Sequence, residues 1–210
     1  MRLTPISWPR LTDALAVRIA DATAADGSPW LRVAVDGAPA AGPGALADGL
    51  AEALPALGRP VLRIHADSFW RPASLRYELG RHDPDSYLDR WLDTGALWRE
   101  VFDPLGPGGS GRVLPSLWDP ATDRATRAPY TPLPPGGVLL LDGAFLLGHW
   151  FPFDLAVHLR LTPAALARRT PPDQRWTLPA FARYDTETDP GSAADVVIRC
   201  DGPRHPAWTG

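Results

Sequence analysis

The stretch "LRVAVDGAPAAGPGALADGLAEAL", Leu31 to Leu54, decides how the chain is read. It opens with a short β-branched run, the composition of a strand. Gly37 to Gly42 is a glycine turn. Beyond it Leu46, Leu50 and Leu54 recur at i, i+4 and i+8, the spacing of a helix with one apolar face. A strand, a glycine turn and a helix in this order are the setting of a phosphate-binding loop, and Gly37-x-x-x-x-Gly42 has the spacing of one. Such a loop curls successive backbone N–H groups around phosphates at a helix N-terminus, where the helix dipole favours negative charge. Its two functional side chains, a lysine and then a serine or threonine, belong directly after Gly42. Pro43 and Gly44 stand there instead. In a glycine-rich chain the same spacing equally suits a tight β-to-α turn that needs glycine for its backbone alone.

The neighbouring segments extend this unit. "RPVLRIHAD", 59–67, reads as a second strand, so 31–67 forms a β-α-β unit, which implies parallel strands. "GVLLLDGAFLL", 137–147, contains the strongest buried-strand signal, a continuous apolar run ending at Asp142-Gly143. "LAVHLRL", 155–161, and "ADVVIRC", 194–200, read as further strands. Helices are expected over 10–24, with Thr12 as N-cap, over 83–102 as one run opened by Asp83 and Pro84, and from 163. Alternating strands and helices predict an α/β doubly wound, mainly parallel sheet flanked by helices. The 210 residues show no repeat and no composition break, so a single domain is expected over 1–210, with 1–28 as an N-terminal helical extension.

Composition narrows the function. Apolar residues make up 45 % of the chain, enough for a sizeable core. A formal net charge of -3 gives no footprint for nucleic acid or a polybasic membrane contact. All 21 basic residues are arginine, so no lysine elsewhere can replace the one missing after Gly42. The single cysteine, Cys200, excludes an internal disulfide and a cysteine-based zinc cluster. The start lacks a signal-peptide apolar core and no run reaches membrane-span length, so a cytoplasmic location is the default expectation.

Several polar residues fall where chemistry is done in such folds. Asp142, at the tip of a buried strand, suits a carboxylate that holds Mg²⁺, or a solvated turn residue. Asp67 also ends a strand, and could accept a proton from an attacking hydroxyl or serve as a cap. His82, Asp83 and Asp85 offer contacts to sugar hydroxyls or the capped start of a helix. Arg168, Arg169 and Arg175 could close over phosphates or form a solvated basic face. Of the tryptophans, Trp70 and Trp118 sit where a ring could stack on a base.

Taken together, the segments "VAVDGAPAAGPGALADGLAEAL", "GRPVLRIHADSFWRP", "RYELGRHDPDSYLDRW", "FDPLGPGGSGR", "LWDPATDR", "PPGGVLLLDGAFLL" and "ADVVIRC" resemble, in order and spacing, the uridine kinase and phosphoribulokinase group of P-loop kinases. The resemblance runs from about Leu31 to about Pro203. It implies ATP and Mg²⁺ as cofactors, a nucleoside-like small molecule as partner, and transfer of a phosphoryl group to its 5′-hydroxyl. It further implies Asp67 as catalytic base and Asp142 as the acidic residue of the Walker B strand and Mg²⁺ site. Gly37, Ala38, Ala41, Gly42, Gly44 and Ala45 fall at the phosphate loop. Trp70, His82, Asp85, Tyr87, Trp118 and Asp119 fall around the substrate. Arg168, Arg169 and Arg175 fall in a lid over about 163–180, which is shorter than in relatives and interrupted by proline. Pro43 removes both the lysine and one loop N–H, and Gly44 removes the metal-binding hydroxyl. Loss of such an electrostatic group costs on the order of 10²–10³ in rate, so a weak or lost kinase activity is expected. Two alternatives accompany it: an enzyme repurposed for acid–base chemistry without ATP, and a non-catalytic nucleoside-binding or regulatory protein.

Overall fold

The computed structural model describes residues 3–202 and 204–209. Strands β1 (Thr4–Pro5), β2 (Leu31–Gly37), β3 (Val61–His65), β4 (Val138–Gly143), β5 (Leu155–Arg160), β6 (Val196–Arg199) and β7 (Ala207–Trp208) form one sheet in the order β1-β7-β6-β5-β2-β4-β3. The pairs β3–β4, β4–β2, β2–β5 and β5–β6 are parallel, and β7 runs antiparallel to both β6 and β1. The expected mainly parallel α/β sheet is therefore present. β2 lies at the centre of the five parallel strands, every residue of it buried, which is why it reads as an apolar run rather than an alternating one.

Helices cover both faces. On one, α1 (Trp8–Asp21) and α2 (Pro43–Ala53) bury Leu11, Leu15, Ile19, Leu46 and Leu50 against Val33, Val35, Leu140 and Val157. On the other, α3 (Pro84–Asp89) and α5 (Leu178–Glu187) pack Tyr87, Phe181 and Tyr184 over Ala34, Leu139 and Leu141. Helix α4 (Pro163–Arg169) follows β5, capped by the Thr162 hydroxyl at the Ala165 amide. No helix among the described residues is long and apolar enough to cross a membrane.

Two local expectations change. Helix α1 begins at Trp8, so Thr12 is not its cap but lies inside it, its hydroxyl donating to the Trp8 carbonyl. The run 83–102 is not one helix. α3 ends at Asp89, a separate turn covers Thr94–Leu97, and a wider turn covers Trp98–Phe102. The break has a tertiary cause. The Arg71 amide donates to the Trp91 carbonyl and the Asp93 amide to the Phe69 carbonyl, so 91–93 is drawn out as a strand-like partner of 69–71. Asp93 then caps the next turn through the Ala96 amide.

A charge pair anchors the central strand at its start. Arg32 is buried, and its Nε and Nη2 each lie 3.0 Å from a carboxylate oxygen of the equally buried Asp154. Asp154 also accepts from the Arg32 amide at 2.8 Å, and Asp26 meets the guanidinium from the other side at 2.9 Å. Removing one member of a buried pair strands the other charge, so Asp154→Ala is expected to destabilise the fold by about 3 kcal/mol, with Asp26 left as partial compensation. Urea denaturation checks this as a lowered midpoint at unchanged slope.

Candidate functional site

The site lies at the carboxyl ends of β2, β3 and β4, where open parallel sheets bind ligands. The glycine turn forms as read. Pro39–Ala41 makes a tight helical turn, and Gly42 follows with φ of 82°, a left-handed conformation that glycine adopts without strain. Pro43 then takes the first position of α2, where its fixed φ suits the helix. The cost falls on the loop's donors. The Ala41 amide is spent on the Ala38 carbonyl (2.8 Å) and the Gly42 amide on the Pro39 carbonyl (3.1 Å), while Pro39 and Pro43 have none. The first-turn amides of Gly44 and Ala45 remain for a ligand.

Above the turn is a cavity of about 340 Å³. Gly37, Gly42, Gly44 and Ala45 form one side, and His65, Asp67 and Asp142 the floor. Trp70, Tyr87, Leu88, Leu92 and Phe145 form an apolar wall. The wall is one cluster of edge-on rings: Tyr87 stands 5.1 Å from Phe145, 4.9 Å from Trp91 and 6.2 Å from Trp70, centre to centre. Arg76, buried, lies over the Trp70 and Trp91 rings at 5.4 and 5.0 Å and stiffens the cluster from behind.

Asp67 lies beyond the end of β3, second in the tight turn Ala66–Phe69. Partial burial pushes its carboxyl above the ordinary aspartate range, with His65 opposing the shift and the nearby Asp142 charge adding to it. Burial, then the Asp67 charge, likewise keeps the Tyr87 phenol protonated well above its ordinary range. Asp142 is differently placed. Its Oδ1 accepts from Arg63 Nε at 2.9 Å, and its Oδ2 lies 3.1 Å from His65 Nδ1. Arg63 and His65 were not singled out from the sequence. Their signal was present: two polar residues at alternate positions in "VLRIHA", hence on one face of a strand. The register puts His65 opposite Asp142 and Arg63 opposite Leu140, on the α2 side.

Mg²⁺ does not fit this donor set. Both oxygens of Asp142 are engaged, Gly44 offers no hydroxyl, and among the described residues no three His, Cys, Asp or Glu side chains are grouped to hold a metal. The remaining candidates lie away from the cavity. Asp85 pairs with Arg183 of α5 at 3.1 Å on the surface. His82 is exposed, 5.4 Å from the Trp176 ring. Trp118 donates to Asp123, and Asp119 closes its own turn through the Ala121 amide and Thr122 hydroxyl. Arg168 and Arg175 are exposed, and Arg169 donates to the Asp201 carbonyl. Ala38 and Arg169 instead border a second cavity of about 240 Å³ on the outer side of the turn.

No protein-family model and no curated protein matches the chain. Solved structures do. A possible uridine kinase from Bacillus stearothermophilus superposes with a TM-score of 0.69 at 24 % identity, over 89 % of this chain and 96 % of that one. D-glycerate 3-kinase from Cryptococcus neoformans superposes with a TM-score of 0.56 at 14 % identity, over 88 % of this chain and 81 % of that one. The fold is thus the one these two solved structures share. The likeness spans nearly the whole of the chain, and it is a likeness of fold.

Asp67 gives a stability test of this geometry. A carboxyl whose folded pKa is raised binds its proton more tightly in the folded state, so it favours the fold at low pH and opposes it once ionised. Asp67→Asn is therefore expected to raise the melting temperature at neutral pH. The gain should shrink as pH falls through the raised pKa and vanish below the ordinary aspartate range. Thermal melts of both proteins from about pH 2.5 to about pH 8, a span that reaches below the ordinary aspartate range, check the sign and the trend.

Proposed function

We propose that this protein binds a nucleoside-like small molecule in the cavity above the glycine turn and that its transfer of phosphate from ATP is weak or lost. The observation that carries the reading is the state of Asp142, tied to Arg63 and His65 beside a Gly44 that bears no hydroxyl. The acceptor half is better furnished. Asp67 faces the cavity from its floor, where a proton acceptor for a ligand hydroxyl would stand, and the wall of Trp70, Tyr87 and Phe145 suits a ring. The donor half keeps only a few loop amides and no cation of its own in the loop. Terminal phosphates would meet Asp67 and Asp142 with no metal between them.

The likeness to a possible uridine kinase supports uridine and cytidine as the first compounds to try. Isothermal calorimetry is expected to show nucleoside binding and no ATP binding, with or without Mg²⁺, and steady-state assays to show no ordinary turnover with Mg-ATP. Trp70→Ala is expected to weaken nucleoside binding roughly tenfold or more, as for loss of one base-stacking ring. Ordinary uridine phosphorylation would overturn the reading.

A second reading is favoured by one contact. The His65–Asp142 pair opposite Asp67 is an imidazole held by a carboxylate, an arrangement suited to proton transfer without ATP. If a substrate is found, Asp67→Asn and His65→Gln should each abolish its conversion. Full activity in either would remove this alternative.

A further inference from the structure

The missing lysine and hydroxyl have a counterpart elsewhere in the fold. Arg63 reaches from β3 across the face of β4 to the first turn of α2. Its Nε meets Asp142 at 2.9 Å, its Nη2 meets the Gly44 carbonyl at 2.9 Å, and its Nη1 pairs with Asp48 of α2. The side chain is 15 % exposed and that of Asp142 is 5 % exposed. All three nitrogens of the guanidinium are thus engaged at one spot. Gly44 leaves it room. A Cβ at position 44 would come within 3.3 Å of Arg63 Nη2 and 3.4 Å of Asp142 Oδ2. A serine or threonine there would press on the guanidinium with its first atom, before its hydroxyl found a place.

We infer that Arg63 is the resident cation of this pocket, standing at Asp142 in place of a divalent ion, so that the pocket takes its ligand without metal. Mg²⁺ demands near-octahedral oxygen coordination at short range and sheds its water reluctantly. It would have to displace a guanidinium whose planar fork is fixed by two carboxylates and a carbonyl. The nearby positive charge also repels the incoming ion. A neutral ligand with hydroxyl groups needs no metal to enter, whereas a nucleoside triphosphate loses the ion that would screen it from Asp67 and Asp142. This deepens the reading of the cavity as a nucleoside-like site, but its metal test does not depend on any ligand.

Mn²⁺ binding followed by electron paramagnetic resonance tests it on the whole protein without added ligand. The unaltered protein should leave the Mn²⁺ signal that of the free ion. Arg63→Met and Arg63→Gln should each gain a weak site on the freed Asp142 and Asp48 carboxylates, tightening Mn²⁺ binding roughly tenfold or more over the unaltered protein. The double variant Arg63→Met with Asp142→Asn should lose it again. The inference is overturned if the unaltered protein binds one Mn²⁺ that Asp142→Asn abolishes, or if folded Arg63 variants gain no site. A measurement on the unaltered protein covers the case in which those variants do not fold. The Arg63 Nε–H resonance should stay in place on adding Mg²⁺, and its displacement would overturn the inference. Failure of uridine to bind would count against the ligand reading alone, since the Mn²⁺ result is obtained separately.

Discussion

A carboxylate taken out of water has to take donors or a counter-charge with it, and the carboxyl edge of this sheet is arranged around two such groups. Asp36, fully buried near the end of β2, accepts from the Leu146 amide at 2.9 Å, lies 2.7 Å from His158 Nδ1 and accepts from the Tyr184 hydroxyl at 3.2 Å. Those partners come from the loop after β4, from β5 and from α5. Satisfying one charge therefore fixes three elements against the central strand. Burial and the Asp36 charge hold the Tyr184 phenol in its protonated form, which keeps it a donor. Asp142, on the neighbouring strand, solves the same problem with Arg63 and His65 from the opposite side of β4. The two solutions face opposite sides of the sheet, and the Asp142 one lies in the floor under the glycine turn.

The parallel core was legible because its strands are buried on both faces. Such strands carry continuous apolar runs, and "LRVAVDG" and "VLLLDG" are both of this kind. The helix over 83–102 misled because Tyr87, Trp91 and Trp98 have helical spacing for a different reason. Tyr87 and Trp91 serve a ring cluster assembled from four separate segments, Trp98 packs instead against Phe102 and Phe151, and the chain between them is bent by hydrogen bonds to Phe69 and Arg71 that no local pattern announces. Strand-end acids are visible in sequence by position alone, so Asp67 and Asp142 stood out. What neutralises Asp142 did not. The meaning of Arg63 and His65 depends on which strand lies beside β3 and in what register, and the neighbour, β4, arrives 77 residues later at the His65–Asp142 contact.

The glycine turn separates two constraints that usually coincide in a phosphate-binding loop. The fold needs a reversal from β2 into α2, and the left-handed Gly42 with Pro43 at the first helical position supplies it well. Phosphate chemistry needs amides, a lysine and a metal-binding hydroxyl, and nothing in the fold requires them. Pro43 favours the first demand and removes a donor needed by the second. Gly44 goes further, since the space it leaves is what the Arg63 guanidinium enters, and its carbonyl is one of the three acceptors holding that group.

The consequence for any restoration of kinase chemistry follows from the same contacts. Pro43→Lys with Gly44→Thr would return both loop side chains, yet the new threonine Cβ would meet Arg63, and Asp142 would still be tied. A guanidinium at Asp142 and a side chain at position 44 would be in tight contact. The loop and the strand beside it therefore form a single electrostatic unit, joined by the Arg63 contacts to the Gly44 carbonyl and to Asp142.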